Sequence, residues 1–134
     1  MYQSILLAAD GSDNSYRAAQ QTLNFIGEGT TVTILNVIDA EDSKDEVLHG
    51  EGSTFNRKAK LSDIIALYDE NDVTYKIKFE HGTPAQTVVD FANAGSYGVV
   101  VLGSRGLNTL QEMVMGGVSH KVAKRVNAPV MIVK

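Results

Sequence analysis

The sequence predicts a doubly wound α/β fold: a five-stranded parallel sheet with helices on both faces. Three observations carry that prediction. Short β-branched, apolar runs alternate along the chain with segments whose apolar residues recur at helical spacing. The central runs, residues 5–9 and 99–102, are continuously apolar, the pattern of strands covered on both faces. Finally, 134 residues at roughly 150 per domain imply one domain spanning 1–134. With 43% hydrophobic and 21% charged residues it can build an ordinary core, which argues against a disordered chain.

Taken in order, residues 3–9 predict a buried strand that stops at the turn Asp10-Gly11-Ser12. Ser12 or Asp13 can cap the following helix, whose apolar face is read as Tyr16, Ala19, Leu23 and Ile26, ending at Gly27 and Gly29. Residues 31–38 are β-branched and predict the second strand. Residues 39–53, polar and carrying Gly50 and Gly52, predict a long loop of solvated acids. A helix follows with Leu61, Ile64, Ile65 and Tyr68 on one face, and the alternation over 73–80 predicts a half-exposed edge strand. Thr83-Pro84 reads as a cap with proline at the first helical position, Ala85, Val88, Val89 and Ala92 as the buried face, and Gly95 as the stop. Residues 99–102 are the most hydrophobic strand. Gly116-Gly117 opens a helix with Val118, Val122 and Val126 inward, and residues 129–133 close the sheet.

Composition narrows the function classes. A net charge of −4 makes a poor generic nucleic-acid binder, because most of that affinity comes from neutralising phosphates with Lys and Arg, so no nucleic-acid partner is expected. No apolar run approaches the roughly 20 residues of a membrane span, and the apolar stretch after Ser4 breaks at Asp10, so neither membrane nor signal segment is expected. Without cysteine there is no disulfide framework, thiol nucleophile or thiolate metal site, and a cytoplasmic location fits. His49, His81 and His120 are far apart without helical pairing, so no metal site is expected. Met113 and Met115 read as packing residues and Asp39 as a turn residue.

Open parallel sheets bind ligands outside the carboxyl ends of their strands, where strand order reverses. The positions to inspect are therefore 8–12, 37–39, 80–82 and 103–106. Gly103 and Gly106 follow the central strand, and Gly116-Gly117 stands at a helix start. Glycine permits close backbone approach, and free N–H groups at a helix N-terminus attract phosphate. Arg105, Lys121 and Lys124 could add positive charge nearby. The same glycines could equally serve only to turn a loop and cap a helix. Gly98 to Gly103 has the spacing of a P-loop, but Ser104-Arg105 follows in place of Lys-Ser/Thr and the segment between is a strand.

Gly103-Ser104-Arg105-Gly106, nine residues, then Gly116-Gly117-Val118-Ser119 closely resembles the motif of the universal stress protein family. The likeness extends through Ile-Leu-Leu-Ala-Ala-Asp-Gly-Ser (5–12), Asn-Val-Ile-Asp (36–39), Gly-Thr-Pro-Ala (82–85), Val-Val-Val-Leu-Gly-Ser-Arg-Gly (99–106) and Ala-Pro-Val-Met-Ile-Val (128–133). The resemblance implies an adenine nucleotide alpha hydrolase-like sheet of order 3-2-1-4-5, and a homodimer paired through its last strand, here Val130 to Val133. It implies bound ATP or AMP, with any Mg²⁺ held through the phosphates. Ala8, Asp10 and Val37 match the positions near the adenosine, and Gly103, Arg105, Gly106, Gly116, Gly117, Val118 and Ser119 those along the ribose and phosphates. One departure stands out. Gly117 occupies a place where ATP-binding relatives usually carry Ser or Thr, so a hydroxyl donor is missing, with Ser119 as a possible substitute.

The expected function is thus a nucleotide-binding, homodimeric stress or signalling protein that senses or sequesters ATP, with slow hydrolysis at most and no assigned catalytic residue. An ATP-pyrophosphatase would need paired glycines where Asp10-Gly11-Ser12-Asp13 stands. A phospho-acceptor receiver domain would need acids and a Lys-Pro where Glu80-His81 and Ala128-Pro129 stand. The serious alternative is a dimerisation or interaction module of the same fold whose glycine loop holds no nucleotide.

Overall fold

In the computed structural model, which describes residues 2–38, 58–104 and 117–134, five strands form one parallel sheet. They are β1 (Ser4–Ala8), β2 (Thr31–Ile38), β3 (Thr74–His81), β4 (Val99–Gly103) and β5 (Val130–Val133), in the order β3-β2-β1-β4-β5. Helices α1 (Asp13–Thr22), α2 (Ser62–Glu70), α3 (Pro84–Ala94) and α4 (Val118–Arg125) alternate with them. The chain winds outward from β1 to β3 and then crosses to the other side of β1 for β4 and β5. Strand order therefore reverses between β1 and β4, as expected of a doubly wound sheet.

The two-residue period of each strand sends alternate side chains into two separate cores. Ile5, Leu7, Val32, Ile34, Val99 and Val101 pack on one face with Ala18, Ala19, Leu61, Ile64 and Tyr68 of the first two helical segments. Leu6, Ala8, Leu35, Val37, Val100 and Leu102 pack on the other with Val88, Val89, Ala92, Val122 and Val126. Residues 5–8 of β1 and 99–102 of β4 are continuously apolar because they meet helices on both sides. β3 is an edge strand, and its Tyr75, Ile77 and Phe79 lean on the first core while Thr74, Lys76 and Lys78 are exposed.

The α1 expectation needs correction. The helix ends at Thr22, well before Gly27 and Gly29, and Leu23 is its C-cap. Its buried residues are Asn14, Ser15, Ala18, Ala19 and Thr22, so of the expected face only Ala19 is fully buried. Small side chains let α1 lie close against β4 and β5. The chain then tightens through i→i−3 bonds from the N–H groups of Leu23, Asn24 and Phe25 to Gln20, Gln21 and Thr22, at 2.9–3.2 Å. That tighter turn delivers Leu23, Phe25 and Ile26 to the core from beyond the helix.

Elsewhere the differences are small. β3 begins and ends one residue later than the alternation suggests, and Thr83 occupies the α3 N-cap without a side-chain cap bond. Among the described residues, no helix is long and apolar enough to cross a membrane. The loop expected at 39–53, with Asp39 and His49, lies outside the described residues, as do Met113 and Met115.

Candidate functional site

The carboxyl ends of β1, β2 and β4 are brought together by register. Ala8 lies beside Leu35 on one side and Leu102 on the other, which places Asp10 and Gly103 at neighbouring strand exits. After β1 the chain turns at once. Asp10 Oδ1 accepts the Ser12 N–H at 2.9 Å, and Gly11 takes a left-handed φ of +88°. The Ser12 hydroxyl oxygen accepts the Ser15 N–H at 3.2 Å and so caps α1, as the sequence suggested. A β-carbon on Gly11 would stand 2.5 Å from the Lys60 carbonyl oxygen, so the chain at residue 60 packs directly over this turn.

Ala8 and Val37 are 1% and 7% exposed and belong to the core on the α3–α4 side. Their side chains are packing groups, so any ligand near them meets main chain. Some of that main chain is already engaged: Ala9 N–H donates to Leu35 O at 2.9 Å, and Asn36 Nδ2 donates to Ala9 O at 2.9 Å. Asn36 is a buried amide that ties the ends of β1 and β2 together.

On the β4 side, Gly103 ends the strand half-buried, and the Ser104 N–H donates to Val133 O at 2.8 Å. Gly117 is the N-cap of α4, and Gly117, Val118 and Ser119 are all half-buried. The first N–H groups of a helix have no intrahelical acceptor, and the helix dipole leaves positive potential there. Lys124 does not contribute to it, contrary to the sequence expectation, because it sits in the last turn of α4 with Arg125, near the opposite end. Lys121 is one turn inside the helix, its N–H bonded to Gly117 O at 3.0 Å. Arg105, Gly106 and Gly116 lie outside the described residues.

Two other features lie away from the β1–β4 switch point. A cleft of about 340 Å³ lies at the end of β3 against α3, lined by Glu80, His81, Thr87, Asp90 and Phe91. Among the described residues no three His, Asp or Glu side chains gather as a metal set. The strongest proton-affinity shift is far from the crevice: burial pushes the Tyr68 phenol up to about 12.

One polar residue of the crevice wall escapes sequence inspection. Asn14 is 4% exposed and donates from Nδ2 to Val133 O at 3.0 Å. Its partner is 119 positions away, and an Asn in the first turn of a helix otherwise reads as capping material.

The geometry first defines a class: a doubly wound parallel sheet with a polar crevice at its switch point, closed on one side by a glycine-capped helix. Within that class, the model of the universal stress protein family matches residues 1–134, and the chain belongs to this family. Universal stress protein MJ0577 of Methanocaldococcus jannaschii has a similar solved structure, with a TM-score of 0.82 and 28% identity over 100% of this chain and 96% of that one. A universal stress protein in complex with cAMP superposes with a TM-score of 0.75 at 24% identity, covering 99% and 97% of the two chains. A family member from Arabidopsis thaliana with AMP bound superposes at 0.73 and 21% identity, covering 98% and 90%. The last two share the fold.

Proposed function

We propose that this chain is one universal stress protein domain that binds an adenine nucleotide, ATP or AMP, and works as a homodimeric cytoplasmic sensor or regulator. The observation that carries the reading is the juxtaposition at the switch point. The exits of β1 and β4 stand side by side, and the glycine motif that starts at Gly103 ends on the N-terminus of α4 at Gly117. In this reading the adenosine lies near Ala8, Asp10 and Val37. The ribose and phosphates follow Gly103, Arg105, Gly106, Gly116, Gly117, Val118 and Ser119. The AMP and cAMP complexes of the two fold neighbours support an adenine ligand.

The chemistry of the donors fits an anion. Main-chain N–H groups and a helix dipole stabilise phosphate charge without any side-chain base. In this reading any Mg²⁺ is held through the phosphates, and the protein holds its nucleotide rather than turning it over, with slow hydrolysis at most. The exposed edge of β5 offers the surface for a second copy. Its Val-Met-Ile-Val run carries no charge, and two-fold pairing would extend the sheet.

A second reading rests on Gly117. Its N-cap position lacks the hydroxyl that Ser or Thr would supply, and losing such a bond to a charged phosphate removes roughly 1–3 kcal/mol. On that reading the loop is structural and the protein is a dimerisation module. Calorimetric titration of the nucleotide-stripped protein with Mg-ATP separates the two, with Gly106→Val as control. Micromolar binding that the control loses supports the sensor. No heat and no thermal stabilisation at millimolar ATP leaves the module.

A further inference from the structure

The edge strand and the crevice share one acceptor. The Val133 carbonyl oxygen receives the Ser104 N–H at 2.8 Å and Asn14 Nδ2 at 3.0 Å. Ser104 is the first residue after β4, where the glycine loop departs. Asn14 is on the first turn of α1, two residues past the cap that closes the Asp10 turn. Its own oxygen accepts from Arg17 Nη2 at 3.0 Å, and Arg17 Nε donates to the main-chain oxygen of Lys134 at 3.3 Å. One carbonyl at the end of β5 thus ties both walls of the crevice to the edge strand, and the buried Asn14 amide makes the tie on the α1 side.

A buried amide bonded at both ends is oriented rigidly, because either flip would face donor to donor or acceptor to acceptor. Movement of β5 along its axis therefore moves Val133 O and, with it, the anchor points of Ser104 and of α1. We infer that Asn14 is a positioning residue that couples pairing of β5 with a second copy to nucleotide binding at the crevice. The inference rests on the nucleotide and dimer reading given above. Coupling of binding free energies is reciprocal, so nucleotide tightens the dimer by the same factor by which dimerisation tightens nucleotide.

The test measures the dimer dissociation constant by sedimentation, with and without saturating Mg-ATP, in the full chain and three variants. The wild-type constant is expected to fall about 5- to 100-fold with nucleotide, the range usual for coupled sites. Asn14→Ala shrinks that shift to less than about 2-fold, while nucleotide binding and pairing each remain measurable. Arg17→Gln, at an exposed position, preserves the fold and shrinks the shift partly. Asn93→Ala is the control. Asn93 likewise bridges main chain, to Arg125 O and the Asn127 N–H, but away from the crevice, so its loss lowers stability and leaves the shift intact.

A wild-type chain that binds nucleotide without any change in its dimer constant, or that stays monomeric throughout, overturns the coupling and leaves the nucleotide site standing. A full shift in Asn14→Ala overturns the role of Asn14. Should Asn14→Ala fail to fold, an unchanged shift in Arg17→Gln does the same. If wild-type protein binds no nucleotide at all, the site reading fails first, and the coupling falls with it.

Discussion

Tyr68 has its phenol inside the first core, bonded to the Thr22 hydroxyl at 2.7 Å, while Thr22 itself donates to Ala19 O at 2.5 Å. Thr22 has spent its proton, so Tyr68 is the donor between them and must stay protonated to make the bond. Burial holds its folded pKa at about 12 against 10 in the unfolded chain. The folded state therefore keeps the proton longer. The resulting stability is fully present below pH 10 and is lost as pH rises through 12, on the order of 3 kcal/mol once both states are ionised. Urea unfolding at intervals from pH 9 to 12 is expected to show wild type losing stability faster than Tyr68→Phe; parallel curves would refute the assignment. Gly11 is a second sensitive residue. Gly11→Ala combines a left-handed φ of +88° with a contact to Lys60 O that backbone must yield to. A loss of at least about 1–2 kcal/mol is expected in denaturant unfolding. A neutral result would mean that the chain at residue 60 does not rest on this turn.

At the scale of elements, β5 is short, apolar and on the edge of the sheet, and Ile132 is 40% exposed. Ile132→Asp is expected to convert a dimer to monomer in sedimentation, while the monomer stays folded with a loss of about 1–2 kcal/mol from apolar burial and strand propensity. A persistent dimer would move the interface elsewhere. The elements differ in how plainly the sequence displays them. β2 runs from Thr31 to Ile38 as its β-branched run implies, and Thr83-Pro84 and Gly95 bracket α3, because each of these signals is local. The inward face of α1 is not local. Asn14, Ser15 and Thr22 are buried because the sheet beneath needs a close neighbour and each finds a partner, Asn14 on β5, Ser15 and Thr22 on their own helix, and no periodicity of hydrophobic residues announces that. The same limit applies to the crevice. Asp10, Gly103 and Gly117 stand at strand and helix ends and are legible from spacing. Asn14 and Asn36 are not, since their acceptors, Val133 O and Ala9 O, come from distant strands.

The whole molecule is a sheet that buries both faces and leaves one end to function. Winding in two directions from β1 opens the crevice, and the helices that cover the sheet also aim the α4 N-terminus at it. A ligand that binds only the folded chain stabilises it by mass action, about 2.7 kcal/mol at a hundredfold excess over its dissociation constant. For a chain of 134 residues that is a rise in Tm of roughly 8–15 °C with Mg-ATP, measurable by calorimetric melting and absent from Gly106→Val. The most direct test of the account is an amide NMR titration of the wild-type protein with Mg-ATP, read residue by residue. The expected result is saturable shifts concentrated on Asp10, Gly103, Ser104, Gly117, Val118 and Ser119, with the amides of Thr87, Asp90 and Phe91 on α3 unmoved. Shifts confined to that β3–α3 cleft, or none at millimolar nucleotide, would contradict it.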